Sequence, residues 1–252
     1  MKIEKFIKNK NKYKVVLENN EILLLHEEVI LKHNLLLIKK IDDSLLNKII
    51  DDNKYYELYN KCIKKISIRL RSEKEIIEFL KLETDLITTN KIIEKLKTNK
   101  FINDLNFIKC YINDKINFSN DGPYKIKDNL LNYNIETDLI DKELSFIDSN
   151  VFYNKAKKLI DKKIKTNKKD STYVLKQKIK KYLFELGYDY NLYENLINKI
   201  NVSNIENVFE IMYRKLKIKY NDKELINKLK TKLYQKGYSM EEINNIIEKK
   251  QI

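Results

Sequence analysis

The sequence predicts a mainly α-helical protein, with four tandem three-helix repeats in an elongated array after a small N-terminal β element. Three glycines and one proline among 252 residues are too few for a β-sandwich or a barrel, since those folds need many tight turns. Apolar residues recur at helical spacing over most of the chain. A short pattern that ends at Gly187 returns 50 residues later at Gly237, which is typical of repeat architectures.

The repeated pattern is an aliphatic pair four residues apart, followed four residues later by a turn residue. The pair lies on one helix face, and a residue able to adopt positive φ then ends that helix. Glycine suits the turn position best and asparagine is acceptable, whereas the branched β-carbon of threonine disfavours positive φ. We therefore expect the first copy to end differently. The four copies are Ile76-Leu80-Thr84, Ile126-Leu130-Asn134, Ile179-Leu183-Gly187 and Leu229-Leu233-Gly237.

Helix starts carry signals of their own. A serine followed three residues later by glutamate matches the capping box, in which the two residues satisfy each other's backbone N–H groups. This pattern occurs at Ser72, Ser203 and Ser239. Pro123 after Gly122 suits the first helical position. These signals precede apolar periodic segments, so together they predict helix starts.

Each repeat is interpreted as a long helix, the helix with the repeated pair, and a short closing helix. We expect the long helices near residues 53–68, 103–118, 150–165 and 204–219. Their alignment makes Cys62, Cys110, Ala156 and Met212 equivalent, which predicts that both cysteines are small core residues and not reactive thiols. The closing helices carry apolar residues at helical spacing: Ile92, Ile93 and Leu96; Leu139, Ile140 and Leu144; Leu192, Leu196 and Ile197; Ile243, Ile246 and Ile247.

The N-terminal segment breaks the helical pattern. Aliphatic runs at residues 12–17 and 21–25 predict two strands with a hairpin turn at Asn19-Asn20, and residues 3–7 add a third strand. Residues 26–34 predict a helix in which His26 and His33 are packed or on the surface. The predicted boundaries are residues 1–43 for the β element with its short helix, and 44–100, 101–148, 149–203 and 204–252 for the four repeats.

The positive charge is concentrated in the C-terminal part of the chain. The net charge is +14, from 51 basic and 37 acidic residues; residues 1–150 hold 27 basic and 25 acidic side chains, and residues 151–252 hold 24 and 12. The densest basic stretch runs from Lys155 to Lys181. It predicts sequence-independent contact with nucleic-acid phosphates. A solvated helix face that keeps the protein soluble is the open alternative.

Several function classes are disfavoured. The aliphatic runs fall far short of the ~20 residues of a membrane span and no signal-peptide apolar region follows the N-terminus, so we expect a soluble cytoplasmic protein. The cysteines and histidines lack metal-ligand spacing. Because phosphate-loop, nucleophile-elbow and zinc-protease motifs do not occur, we expect no enzyme, cofactor or metal. The acidic pairs Asp42-Asp43 and Asp51-Asp52 are expected at helix starts, where they complement the helix dipole.

A series of short motifs resembles the RecX family of recombinase regulators in both order and spacing. The motifs are residues 68–75 with Arg69, Arg71 and Ser72, then Phe79-Leu80, Leu96-Lys97, residues 101–104 with Phe107, and Gly122-Pro123-Tyr124-Lys125-Ile126 with Leu130. The resemblance covers nearly the whole chain, and family members from low-GC bacteria are similar in their extra N-terminal β element. This chain departs at Leu70, where proline is common, and at Lys125, where arginine is common. The second change loses the bidentate fork of arginine.

The resemblance implies a protein that binds the RecA recombinase filament in its helical groove. It implies modulation, mostly inhibition, of filament assembly, ATP hydrolysis and strand exchange, and so a role in homologous recombination, DNA repair and the SOS response. From the net charge of residues 151–252 we expect weak, non-specific contact with single- and double-stranded DNA. We expect a monomer, although the sequence leaves the oligomeric state open. The open alternatives are a helical scaffold for other proteins and a nucleic-acid-binding module without a recombinase partner. In that module Tyr173, Tyr182, Tyr188 and Tyr190 stack bases, although Tyr188 and Tyr238 share a position after the turn that also suits packing.

The candidate RecA or DNA contacts are basic residues. For Arg69 and Arg71 a charge pair that holds the helix end is the open alternative. The candidates are Arg69, Arg71, Lys125, Lys127, Lys157, Lys158, Lys162, Lys165, Lys168, Lys169, Lys178, Lys180, Lys181 and Arg214.

Overall fold

A computed structural model describes residues 1–251 of the chain. Within these residues three strands precede thirteen helices, which confirms the predicted mainly α-helical architecture behind a small β element. The last residue of the predicted fourth repeat, Ile252, lies outside the described residues. The strands are β1 (Ile3–Asn9), β2 (Lys12–Leu17) and β3 (Ile22–His26). The helices are α1 (Glu27–Lys32), α2 (Asp43–Ile68), α3 (Glu73–Lys81), α4 (Leu86–Thr98), α5 (Asp104–Phe118), α6 (Pro123–Leu131), α7 (Thr137–Ser145), α8 (Ser149–Thr166), α9 (Thr172–Glu185), α10 (Tyr190–Asn198), α11 (Ile205–Lys217), α12 (Asp222–Gln235) and α13 (Met240–Lys249).

The chain divides into two compact units, Met1–Ile108 and the part from Lys109 onward. Helices α2 to α13 follow one another in four groups of three, and in the first three groups the first helix is the longest, as predicted. Two of the predicted helix lengths are wrong: in the last group α11 has 13 residues and α12 has 14, and in the first group the closing helix α4, with 13 residues, is longer than α3, with 9. The repeat boundaries given above remain a prediction.

The N-terminal strands form one antiparallel sheet in the order β1-β2-β3. Asn20 has a φ of 64°, so the predicted hairpin turn is confirmed. One face of the sheet packs on α1 and the first half of α2 through a buried aliphatic cluster, whose members are Val15, Leu17, Leu25, Val29, Ile30, Leu35, Ile41 and Ile49.

Both histidines are packed, as expected. The ring of His26 is buried next to the side-chain amide of Asn60, 3.2 Å from Nδ1. Burial is the largest cause that lowers the pKa of His26, followed by the charge of Lys12. His33 Nε2 lies 2.7 Å from Asp52 Oδ2.

Helix α2 is longer than predicted. It begins at Asp43, ten residues before the expected start near residue 53, because no glycine or proline interrupts the segment and the Asp42 side chain accepts a hydrogen bond from the Leu45 N–H as the N-cap. Asp42-Asp43 therefore lies at a helix start as predicted, but Asp51-Asp52 does not. Those two residues lie in the middle of α2, and Asp52 pairs with Lys32 and His33.

The repeated aliphatic pairs are confirmed as core residues. All eight are buried: Ile76, Leu80, Ile126, Leu130, Ile179, Leu183, Leu229 and Leu233. The turn residues Asn134, Gly187 and Gly237 have φ values of 59°, 78° and 81°. Thr84 is not among the described residues with positive φ, so the first copy ends differently, as its branched side chain requires.

Two of the three predicted capping boxes are present. Ser72 with Glu75 and Ser239 with Glu242 exchange both hydrogen bonds, and Pro123 is at the first turn of α6 behind Gly122. The box predicted at Ser203 is wrong. Helix α11 begins one residue later, behind Asn204, and Glu206 instead pairs with Lys249 at 2.5 Å.

The prediction that both cysteines are core residues is confirmed for Cys62 and wrong for Cys110. Cys62 is fully buried, and burial raises its pKa to about 11, whereas Cys110 is exposed. The burial pattern shows why. Core residues four apart occur as Leu58 and Cys62 in α2 and as Phe152 and Ala156 in α8, but α5 uses Ile108 and Ile112, so Cys110 lies two residues outside the shared register.

The turn after α9 packs against the start of α6; we call this contact the α6–α9 junction. The Gly122 N–H donates to the Leu186 carbonyl at 2.6 Å and the Tyr124 N–H donates to the Gly187 carbonyl at 3.0 Å. A Cβ atom on Gly187 would come within 2.3 Å of the Lys125 backbone nitrogen. Both glycines are therefore required by the close approach of two backbones.

The turn after α12 packs in the same way against the start of α9, forming the α9–α12 junction. Here a Cβ atom on Gly237 would meet side-chain atoms, Val174 Cγ2 at 2.7 Å and Ser171 Oγ at 2.9 Å. The residue after each turn glycine, Tyr188 or Tyr238, is fully packed in the core. The predicted packing site behind the turn is thus confirmed, and Tyr188 cannot stack on a base.

Candidate functional site

The lysine-rich surface predicted for the third repeat is formed by α8, the loop after it, and α9. Lys158, Lys162 and Lys165 are spaced by four and three residues on α8 and are exposed, so they lie on one helix face. Within residues 1–251 these three side chains form no ion pair. The same holds for Lys157, Lys168 and Lys169, which are also exposed.

The loop between α8 and α9 is held in place by local hydrogen bonds. The Asn167 side chain accepts from the Asp170 N–H at 3.0 Å and donates to the Asp170 carbonyl at 3.0 Å. The Asn204 side chain donates to the same carbonyl at 3.3 Å. Buried Ser171 then caps α9 through the Val174 N–H. The loop therefore presents Lys168 and Lys169 from a fixed backbone.

A groove of about 430 Å³ lies between the end of α8 and the start of α9. It is lined by Lys163, Lys168, Lys169 and Lys178 together with Asp170. Lys178 donates to both Asp170 carboxylate oxygens at 2.7 Å, so one of the four positive charges is already neutralised. The groove retains a net positive charge that suits a phosphate group.

Aromatic rings lie beside several of these lysines. Lys163 Nζ is 4.2 Å from the centre of the Tyr182 ring, and Lys180 Nζ is 4.8 Å from that of Tyr190. The Tyr173 side chain is 63% exposed. Of the four tyrosines suggested for base stacking, Tyr173 is therefore the most accessible and Tyr188 is excluded by burial.

Lys155 belongs to the basic stretch in sequence but not to this surface. Its ammonium group donates to three carbonyls at the end of α5, those of Lys115, Ile116 and Ser119, at 3.2, 2.6 and 2.8 Å. Burial lowers the pKa of Lys155 below its usual value, partly opposed by the charge of Asp121. This lysine caps a helix, which sequence spacing alone could not reveal.

The other predicted contact residues of the second unit are mostly paired. Lys125 lies 3.4 Å from Asp121, Lys127 lies 2.6 Å from Asp141, and Lys181 lies 3.9 Å from Glu185. Arg214 is exposed in the last turn of α11. Arginine and lysine side chains held by carboxylates are less available to a partner than those of α8.

Arg69 and Arg71 lie in the first unit, at the start of α3. Both guanidinium groups bind the same carboxylate oxygen, Glu75 Oε1, at 2.5 and 3.0 Å. Burial of Glu75 raises its pKa, but hydrogen bonds from Ser72 and Arg71 and the charge of Arg69 outweigh it and hold that pKa below its usual value. The arrangement favours the helix-end charge pair that the sequence left open.

The described residues contain neither a metal-binding cluster nor a membrane-spanning helix. No group of three histidine, cysteine, aspartate or glutamate side chains in residues 1–251 is placed to hold a metal ion. None of the thirteen described helices combines the length and apolar character needed to span a bilayer.

Comparison with known proteins identifies the family. The chain is 30% identical to regulatory protein RecX of Streptococcus agalactiae over 98% of both chains. The chain belongs to the RecX family. A RecX protein of Oceanobacillus iheyensis is 27% identical over 96% of this chain and 94% of its own. No family model matches the sequence.

Solved structures agree with this RecX assignment. A crystal structure of regulatory protein RecX matches with a TM-score of 0.66 and 25% identity, covering 77% of this chain and 97% of its own. RecX from Lactobacillus salivarius matches with a TM-score of 0.55 and 27% identity, covering 59% of this chain and 97% of its own. The helical repeat fold is thus shared with the RecX family.

Proposed function

We propose that this RecX-family protein binds the RecA recombinase filament and modulates, mostly inhibits, its assembly, ATP hydrolysis and strand exchange. The observation that carries the proposal is the family likeness along nearly the whole chain, to proteins named as regulators. Homologous recombination, DNA repair and the SOS response would be regulated through that contact. The protein acts by binding, as a monomer, without a cofactor.

The lysine surface of α8 supports a second part of the proposal, direct contact with DNA. Lys158, Lys162 and Lys165 present three unpaired positive charges on one helix face. Each phosphate that such a lysine neutralises releases counterions and adds affinity that does not depend on base sequence. Contact with single- or double-stranded DNA would therefore be weak and non-specific.

The alternative function is a nucleic-acid-binding module with no recombinase partner. The exposed ring of Tyr173 and the lysine-flanked rings of Tyr182 and Tyr190 favour it, because aromatic rings on a basic surface stack unpaired bases. The two functions differ in whether the protein acts on RecA at amounts too small to cover the DNA.

The deciding experiment measures ATP hydrolysis by the cognate RecA on single-stranded DNA while this protein is titrated in. We expect inhibition at ratios far below one molecule per RecA subunit. Inhibition that begins only when the DNA is saturated would support the nucleic-acid-binding module instead, and no inhibition at any ratio would remove the RecA proposal.

The DNA contact is tested by the salt dependence of binding. Replacing Lys158, Lys162 and Lys165 with glutamine should flatten the slope of log K against log salt on duplex DNA by up to about 0.9 for each lysine that contacts a phosphate. The matched control replaces three exposed lysines of the first unit, Lys39, Lys48 and Lys81. The proposed DNA-binding surface would be contradicted if both variants flattened the slope equally. It would also be contradicted if the slope of the Lys158, Lys162 and Lys165 variant were unchanged.

A further inference from the structure

A second groove, of about 400 Å³, lies on α11 and combines an apolar floor with a basic rim. The floor is formed by Val208, Ile211, Met212 and Leu216, which share one face of α11 through their spacing of three, four and eight residues. The rim is formed by Lys215 on the same helix, Lys232 on α12, Lys236 directly after α12, and Lys169 from the loop after α8.

The positive charges of this rim are not balanced. None of the described residues that line the groove is acidic, and none of its four lysines forms an ion pair within residues 1–251. Neighbouring grooves of the same unit differ in this respect. One contains the pair of Asp170 and Lys178, and another, at the start of α11, contains the pair of Glu206 and Lys249. Of these three grooves, the one on α11 is thus the one whose described lining contains lysines and no carboxylate, which favours an anionic partner.

The apolar floor indicates that a ligand of this groove carries an apolar group as well as negative charge. Val208 and Leu216 belong to the buried core, Met212 packs against that core, and the Ile211 side chain is 45% exposed. An exposed isoleucine beside a conformationally adaptable methionine forms an apolar surface on which the apolar side chain of a ligand can pack. The floor holds no aromatic ring, so it cannot stack a nucleic-acid base.

We propose that this groove binds a short acidic peptide segment of a partner protein that carries a bulky apolar side chain. The apolar side chain packs on Ile211 and Met212, and flanking carboxylates pair with the lysines of the rim. A nucleic-acid strand matches only the rim, whereas an acidic peptide with an apolar anchor matches both rim and floor. The proposal goes beyond the RecA function and needs only the residues of this groove.

The test measures fluorescence anisotropy of labelled seven-residue peptides with the full-length protein. The probe has a central leucine-phenylalanine pair flanked by aspartate and glutamate. One matched peptide replaces the central pair with two serines, and another replaces the acidic residues with asparagine and glutamine. We expect the probe to bind at least ten-fold more tightly than either matched peptide. Equal binding of the serine peptide would overturn the proposal, because it would leave charge as the only interaction.

Substitutions inside and outside the groove on α11 test whether the labelled peptide binds there. Ile211→Ser should weaken binding of the probe about ten-fold, whereas Ile218→Ser, at an 86% exposed isoleucine that does not line the groove, should leave it unchanged. Replacing both Lys215 and Lys232 with glutamine should also weaken it, and replacing the exposed Lys219 and Lys223 removes the same charge outside the groove as the control. Equal effects of target and control variants would overturn the assignment.

A competition experiment with DNA tests whether the groove on α11 binds a nucleic-acid strand instead of an acidic peptide. Oligothymidylate should not displace the probe at concentrations that saturate the lysine surface of α8, and Ile211→Ser should leave DNA affinity unchanged. If Ile211→Ser weakened DNA binding as strongly as peptide binding, the groove would be part of the nucleic-acid surface and the peptide proposal would be overturned. The RecA assay described above is independent of either result.

Discussion

The α6–α9 and α9–α12 junctions are built from the same parts, but the distance between the packed segments differs. In both, a glycine with φ near 80° ends a helix and the next residue is a buried tyrosine. At the α6–α9 junction two backbone hydrogen bonds join the turn to the start of α6. At the α9–α12 junction the Gly237 turn faces the side chains of Ser171 and Val174. The same sequence signal thus produces a rigid contact in one place and an adjustable one in the other.

The acidic residue at each junction shows a parallel difference. Asp121 is buried and receives Lys115 at 2.8 Å and Lys125 at 3.4 Å. Asp170 is half-buried and holds Lys178, whose side chain is 61% exposed. The first carboxylate therefore stabilises the interior of its junction. The second lies beside the lysine-rich groove, where a partner's phosphate would compete for Lys178.

The largest expected effect is a difference between two glycine substitutions. An alanine at either turn pays roughly 1–2 kcal/mol for its left-handed conformation. Gly187→Ala also forces its Cβ atom against the Lys125 backbone, so we expect a total loss of about 3 kcal/mol or more. Gly237→Ala meets side chains that can shift, and we expect about 2 kcal/mol. Urea unfolding monitored by circular dichroism measures both, and equal losses would show that the junctions are equally rigid.

Much of the structure of the two junctions can be predicted from local signals in the sequence. The sequence correctly predicts Gly187, Gly237 and Asn134 as left-handed turn residues, because positive φ is a property of each residue's own backbone. The sequence also correctly predicts the buried aliphatic pairs, because helical spacing places both residues of a pair on one helix face. What the sequence could not show is how closely Gly122 and Gly187 approach each other, since that depends on two segments 65 residues apart.

The candidate site was less predictable than the fold. The density of lysines in the sequence predicts the exposed surface of α8. The same dense stretch contains Lys155, which caps α5, and Lys178, which pairs with Asp170. The groove on α11 was missed because its rim comes from three separate segments and its floor has ordinary helical spacing. Charge density reports composition, whereas a binding surface depends on which charges remain unpaired after folding.

The two acidic residues, Asp121 and Asp170, should contribute differently to the free energy of unfolding. Burial raises the pKa of Asp121, but hydrogen bonding and charge from Lys115 and Lys125 outweigh it, so its pKa lies below the usual value. Its ionised form therefore stabilises the fold above pH ~4, and this contribution is lost as the pH falls through the lowered pKa. Asp121→Asn should lower the free energy of unfolding by about 1–2 kcal/mol at pH 7, and by progressively less as the pH falls. The loss is limited to this size because Lys115 and Lys125 are partly exposed.

Asp170→Asn is the matched control for that measurement. Its ion pair with Lys178 is largely exposed, so we expect a loss below about 1 kcal/mol at pH 7. Urea unfolding of both variants and the unmodified protein at a series of pH values from 7 to 3 gives the comparison. A constant loss for Asp121→Asn across this range would mean that the carboxylate charge does not contribute.

The smallest expected effect concerns the buried tyrosines, and it has the opposite sign. The hydroxyls of Tyr188 and Tyr238 have no hydrogen-bond partner among the described residues, and burial raises the pKa of each to about 12. Removing a buried hydroxyl that lacks a partner relieves its desolvation cost. We therefore expect Tyr188→Phe and Tyr238→Phe each to stabilise the protein by up to about 1 kcal/mol.

Tyr59→Phe provides the contrast, because the Tyr59 hydroxyl accepts a hydrogen bond from the Asn99 side chain at 2.7 Å. That variant should lose about 1 kcal/mol. Thermal unfolding of the three variants decides the sign of each effect. If Tyr188→Phe destabilises the protein while Tyr238→Phe does not, the α6–α9 junction contains a partner for its hydroxyl, and the two junctions differ in polar contacts as well as in backbone distance.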